Sequence, residues 1–145
     1  MFKTRIWITF PLLGILACLP PKVNTPNAMP GMKNVRMQTL MAKRISLNAG
    51  PVDVTNTFNL RDDIYFYSSF WWSRSSEPTV QHLEARWYNH GALILTDPFT
   101  AEFPRSPWNV WNHIPAKFLG AGKCRVDICS QGTVLDSHAF EITAP

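Results

Sequence analysis

The sequence predicts an all-β fold: an antiparallel sandwich of about seven short strands built from residues 47–145, preceded by a signal segment and an extended linker. Three observations carry this. Apolar and polar residues alternate with period two in several short runs, most cleanly over His82-Leu83-Glu84-Ala85-Arg86-Trp87-Tyr88. Turn residues such as Asn89-His90-Gly91 and Ser130-Gln131-Gly132 separate those runs. No stretch has a convincing amphipathic helical period, and twelve prolines against seven glycines count against a helical bundle. The 145 residues suit one domain, and 46% hydrophobic with 17% charged residues excludes a disordered tail or a coiled coil.

In chain order, residues 1–17 read as a signal peptide. Lys3 and Arg5 supply a cationic start, and Ile6 to Ala17 is an uncharged, mostly apolar run interrupted by Pro11. That run is too short for a spanning helix, which needs about 20 residues. The run ends Ile15-Leu16-Ala17-Cys18, which resembles a bacterial lipobox, with Leu16 bulkier than the small residue usual there. The resemblance implies cleavage before Cys18 by signal peptidase II and diacylation of Cys18, a palmitate-type anchor. Two acyl chains hold a protein firmly on a bilayer.

Residues 18–46 form the expected linker. It is basic and contains prolines; its cations suit either an anionic lipid surface or a plain soluble spacer. Arg36 to Ser46 fits a short helix or a first strand. All seven basic residues of 1–52 stand without a single acid, whereas residues 53–145 carry seven basic against ten acidic residues, a net of −3. A net-negative folded part with its surplus cations in the linker disfavours nucleic acid as a partner.

The sandwich elements follow. Val52 to Phe58 alternates, and Ile64 to Trp72 is dense in strand-favouring aromatics. In the latter, Ile64, Phe66, Phe70 and Trp72 share one face; Tyr65, Tyr67 and Trp71 share the other. That second face is covered by the N-terminal arm or meets a partner. Leu83, Ala85 and Trp87 form one face of the next strand, and Ala92 to Thr96 follows the turn. Residues 97–115, with Pro98, Pro104, Pro107 and Pro115, read as a long irregular connection. It presents Phe99, Phe103, Trp108 and Trp111 as a binding surface or as a plug for the end of the sandwich. Ile114 to Leu119 suits a short strand. Gly122 to Cys129 and Val134 to Thr143 form a closing hairpin, with Phe140 and Ile142 inward.

Several motifs are weak. Cys124 and Cys129 sit on one strand, where five residues at ~3.3 Å separate Cα atoms by about 16 Å, beyond the ~7 Å a disulfide tolerates. Two free thiols are expected. His82, His90, His113 and His138 lack metal-ligand spacing, so no metal or other cofactor is expected. Gly120-Ala121-Gly122-Lys123-Cys124 lacks the first glycine of a phosphate loop and opens a strand. Asp136-Ser137-His138 has triad residue types, but adjacent strand residues face opposite ways. Asp62, Asp63, Asp97 and Glu102 fit solvated turn acids. No enzymatic activity is expected.

The layout resembles immunoglobulin-like or fibronectin type III-like domains of bacterial envelope proteins. The resemblance covers residues 47–145 and rests on Trp87 and on the hairpin Gly122-x-x-x-Val126-x-Ile128 through Gly132 to Phe140-x-Ile142. No cysteine pair has the inter-sheet spacing of antibody domains. It implies binding or scaffolding. The expected protein is exported to the bacterial outer membrane or periplasm and tethered by lipid at Cys18. There it binds another envelope protein, such as a subunit of a secretion, conjugation or pilus assembly, through Phe103, Trp108, Trp111, Tyr65, Tyr67 and Trp71. The alternative is a glycan or small-ligand module in which Tyr65, Tyr67 and Trp71 stack on the ligand.

Overall fold

The computed structural model describes residues 29–73 and 77–145, together with the backbone of Arg5–Trp7 and Lys22–Val23. The described strands are β1 (Arg5–Trp7), β2 (Lys22–Val23), β3 (Arg36–Ser46), β4 (Gly50–Val54), β5 (Thr57–Asn59), β6 (Asp63–Trp71), β7 (Thr79–Asn89), β8 (Ala92–Phe103), β9 (Trp108–Pro115), β10 (Gly122–Ser130) and β11 (Thr133–Thr143). They form two sheets. The first runs β1-β9-β6-β3-β2, with β4 also paired to β3; the second runs β5-β11-β10-β7-β8. All pairings are antiparallel except β5 with β11. The protein is therefore an all-β sandwich, with more strands than the seven expected.

Alternation explains why the sheets face each other. Leu83, Ala85 and Trp87 of β7, Val126 and Ile128 of β10, and Phe140 and Ile142 of β11 point inward from the second sheet. Met37 and Met41 of β3, with Ile64, Phe66 and Phe70 of β6, meet them from the first. Trp87 is fully buried, in register with Val126 and edge-on to Phe140 at 6.2 Å and tilted to Phe66 at 6.1 Å. One polar pair interrupts this layer and is satisfied within it: the hydroxyls of Thr39 and Ser68 lie 2.9 Å apart across β3 and β6.

Four expectations are corrected. The connection expected over 97–115 is mostly strand. β8 continues to Phe103, β9 begins at Trp108, and only residues 104–107 link them. Pro98 misled because a proline disrupts a central strand, yet β8 is the edge of its sheet, where proline is tolerated. The linker expected over 18–46 also ends earlier. Met29, Met32 and Val35 join the core, Gln81 donates an amide hydrogen bond to the Pro30 carbonyl at 2.6 Å, and β3 pairs along β6 from Arg36 to Ala42. Finally, the run 52–58 splits. β4 pairs in the first sheet and β5 in the second, with Thr55 and Asn56 crossing between them. Past β9, Ala116–Phe118 is a 3-10 turn where a strand was expected.

The closing hairpin forms as expected. At its entrance, Gly122 has φ +136° and is pressed against the Asn89 and His90 side chains. Asn89 Nδ2 donates to the Leu119 carbonyl at 2.8 Å and to Ala121 at 3.2 Å, which pins the 3-10 turn onto the β7–β8 turn. Cys124 and Cys129 are both buried free thiols, raised above their ordinary pKa by burial.

Candidate functional site

The outward face of the first sheet gathers Tyr65, Tyr67 and Trp71 from β6 with Trp111 and His113 from the neighbouring β9. The register places Tyr67 opposite Trp111 and Tyr65 opposite His113. Tyr65 stacks on the His113 imidazole, centroids 4.8 Å apart and 17° from parallel, and lies 6.0 Å from the Trp111 ring. Tyr65, Tyr67 and Trp71 are half-buried. Trp111 is 8% exposed although it stands apart from the main core cluster. Burial raises the pKa of both tyrosines, helped at Tyr65 by the Asp63 charge. Both hydroxyls therefore stay neutral hydrogen-bonding groups at physiological pH. The Tyr67 hydroxyl also lies against Gly50, where an added Cβ would stand 3.6 Å from it.

The other expected binding residues are elsewhere. Phe103 is fully enclosed, edge-on to Phe70 at 5.0 Å and to Trp72 at 5.6 Å. Trp108 sits opposite Phe70 and belongs to the core. Two residues three apart in a strand face opposite ways, so Trp108 points in and Trp111 out; they do not form one patch. Trp108 is thus a core residue of β9. Cys18 lies outside the described residues.

At the lateral seam between the sheets, β8 and β9 bring Asp97 and Asn112 together. Asn112 is fully buried, and its Nδ2 donates to Asp97 Oδ2 at 2.8 Å while its Oδ1 accepts the His113 backbone N–H at 2.8 Å. Burial raises the Asp97 pKa; the Asn112 hydrogen bond and the His113 charge pull the other way without overcoming it. Sequence reasoning placed Asp97 as a solvated turn acid and passed over Asn112. An uncharged polar residue between Val110 and Ile114 on a strand was the available signal.

The outward face of the second sheet carries a polar ladder that was also missed. Arg125 lies over the Tyr88 ring at 4.1 Å and pairs with Asp127 at 2.8 Å, and Ser137 Oγ donates to Asp127 at 2.7 Å. Arg86 pairs with Glu84 beside it. Opposite charges at i and i+2 on a strand share a face, so Glu84/Arg86 and Arg125/Asp127 were legible as such pairs. Ser137 serves Asp127, while His138 Nε2 meets Asn56 Oδ1 at 3.0 Å, so Ser137 and His138 point to different partners. Among the described residues no group of three or more His, Cys, Asp or Glu is placed to hold a metal. No helix among them is long and apolar enough to cross a membrane.

No family model matches the chain, and no curated protein does. Among solved structures it is similar to a β-glucosidase from Listeria innocua in complex with glucose, at 11% identity and a TM-score of 0.48 over 74% of this chain. It is also similar to a family 123 glycoside hydrolase from Clostridium perfringens, at 12% identity and a TM-score of 0.35, again over 74% of this chain. The chain spans 16% and 26% of those two proteins respectively.

Proposed function

We propose that the chain is an exported protein, lipid-anchored at Cys18 in the bacterial envelope, whose sandwich binds another envelope protein without catalysing a reaction. The observation that carries this reading is the aromatic face of the first sheet, Tyr65, Tyr67 and Trp71 beside Trp111 and His113. Large aromatics pointing away from the core of a small domain are a liability unless something covers them, and they dominate binding energy where a partner does. The anchor reading rests on the cationic start, the apolar run and Cys18. A protein partner suits the face better than a sugar does, because His113 already occupies one side of the Tyr65 ring.

Membrane fractionation of wild type and Cys18→Ser, followed by affinity capture with crosslinking from intact cells, tests both halves. The expected result is salt-resistant membrane association lost in Cys18→Ser, with one envelope protein captured specifically. Equal membrane association of the two forms would contradict the anchor. Specific binding of an envelope glycan, with quenching of tryptophan fluorescence and no captured protein, would favour the alternative module.

A further inference from the structure

Past Cys18 the chain joins the sandwich at one corner. β2 pairs antiparallel with the start of β3, Lys22 opposite Met37 and Val23 opposite Arg36. Met29, Met32 and Val35 then sit in the core, and the Lys33 carbonyl accepts the Ser73 backbone N–H at 2.9 Å. The segment is therefore fixed against the end of β6. Cys18 stands only four residues before the paired Lys22. Four residues of fully extended chain span at most about 14 Å. A lipid on Cys18 thus holds this corner close to the bilayer, where the long linker expected from the sequence would have let the domain stand off.

The same corner is cationic. Lys33, Arg36 and Arg105 are all exposed, and none of them is in an ion pair among the described residues. Arg36 lies opposite Trp71 at the end of β6, and Lys33 is bonded through its carbonyl to Ser73. Arg105 adjoins Ser106, whose hydroxyl accepts the Trp72 backbone N–H at 2.9 Å. All three cations therefore flank residues 71–73. The other cations of β3 are neutralised, Lys43 by Asp62 and Arg44 by Asp53. The exposed acids at this end, Glu77 and Glu102, stand on the side of the second sheet, before β7 and on β8.

We propose that this corner rests on the anionic headgroups of the bilayer that holds Cys18, with Lys33, Arg36 and Arg105 as its contacts. Screening limits such attraction to about 8 Å at physiological ionic strength, and the short tether keeps the corner within one or two such lengths of the membrane. The contact raises β6 and β9 from the membrane by their ends and turns the aromatic face sideways along it, toward a partner in the same envelope. The proposal rests on the lipid-anchor reading above and adds to it a surface and an orientation.

The test uses the mature protein purified in detergent from cells expressing the full chain, with its lipidation fixed by intact mass. It is reconstituted into phosphatidylcholine vesicles with or without phosphatidylglycerol. A donor dye is placed on Pro104→Cys at the basic corner or on Phe118→Cys past the far end of β9, both exposed positions, while Cys124 and Cys129 stay buried. Energy transfer to an acceptor-labelled lipid is read from each. With phosphatidylglycerol, transfer from position 104 should exceed that from position 118 by about twofold or more, and the ratio should fall without it or in high salt. Lys33→Glu with Arg36→Glu and Arg105→Glu should lower the ratio in the same way at an unchanged melting temperature. An intact mass showing Met1 retained, or no acyl chains, overturns the anchor reading and this proposal together. A lipidated protein with equal transfer from both positions on anionic vesicles overturns the proposal alone. A ratio that ignores lipid charge and salt overturns the headgroup contact in favour of the tether alone. Unequal transfer that appears only after an acidic envelope protein is added overturns it in favour of a protein at this corner.

Discussion

Asn112 reaches from the first sheet to the second and donates a 2.8 Å hydrogen bond to the Asp97 carboxylate. It does so from a fully buried position, while its own oxygen is committed to the His113 backbone. The bond joins β9 of one sheet to the edge strand β8 of the other and keeps a carboxylate partly out of solvent.

That carboxylate makes stability depend on pH in a stated direction. Burial lifts the folded pKa of Asp97 above its ordinary value of 3.8, so the native state holds its proton over a range where the unfolded chain has lost it. The contribution of Asp97 is thus fully present below pH 3.8 and is lost as pH rises through the raised folded value. Asp97→Asn keeps an acceptor for Asn112 and removes the charge. Thermal melts should show the variant more stable than wild type at pH 7, with the gap closing toward pH 4. A variant less stable at pH 7 would show that the carboxylate is better compensated than the seam geometry indicates.

Trp87 is the centre of the core. Its replacement by alanine empties the space between Phe66, Phe140 and Val126 and should cost about 3–5 kcal/mol by chemical denaturation. An unchanged midpoint would mean that the inward face of β7 has been misplaced.

Much of this core was legible because β7, β10 and β11 each bury one face and leave the other polar, which prints a period of two on the sequence. The strands that were missed lack that print. β9 has buried residues on both faces, Asn112 inside and Trp111 outside, so Trp-Asn-Val-Trp-Asn-His-Ile has no cleanly polar face to reveal it. β3 uses Met37, Thr39 and Met41 inward, residues that announce a strand weakly. The crossing at Thr55 and Asn56 depends on which sheet each half joins, a long-range choice that local pattern does not encode. The same blindness affected the site. Tyr65, Tyr67 and Trp71 were assigned to one face from their spacing alone, whereas Phe103 and Trp108 were grouped with Trp111 only because a loop was assumed.

Trp108 and Trp71 should consequently behave differently. Trp108→Ala should lower stability by about 3 kcal/mol or more, since the indole is packed in the core. Trp71→Ala should weaken partner capture by about tenfold or more while the melting temperature shifts little. Stability and capture measured on the same two variants check this; loss of capture with Trp108→Ala at full stability would reverse the assignment.

Gly122 should tolerate no side chain. A Cβ there would stand 2.3 Å from His90 Nε2 and 2.7 Å from Asn89 Oδ1, on a backbone at φ +136°. Gly122→Ala should therefore cost about 1–3 kcal/mol by displacing the Asn89 clamp on the 3-10 turn. A melting temperature equal to wild type would indicate that the turn relaxes freely.

Both thiols should be silent in the folded protein. Cys124 and Cys129 are buried and their pKa values are raised, which leaves little thiolate for reaction. Ellman's reagent should react with them only in denaturant; prompt reaction of either in native buffer would show that its cover opens.

The proposed contact between the outward aromatic face of the first sheet and an envelope protein can be read in living cells. Site-specific photo-crosslinking in intact cells tests it most directly, with a photoreactive phenylalanine analogue at position 71 and, as the control, at position 82 on the outward face of the second sheet. A discrete adduct with one envelope protein is expected from position 71 and none from position 82. Absence of any adduct at position 71, or the same adducts from both positions, would contradict it.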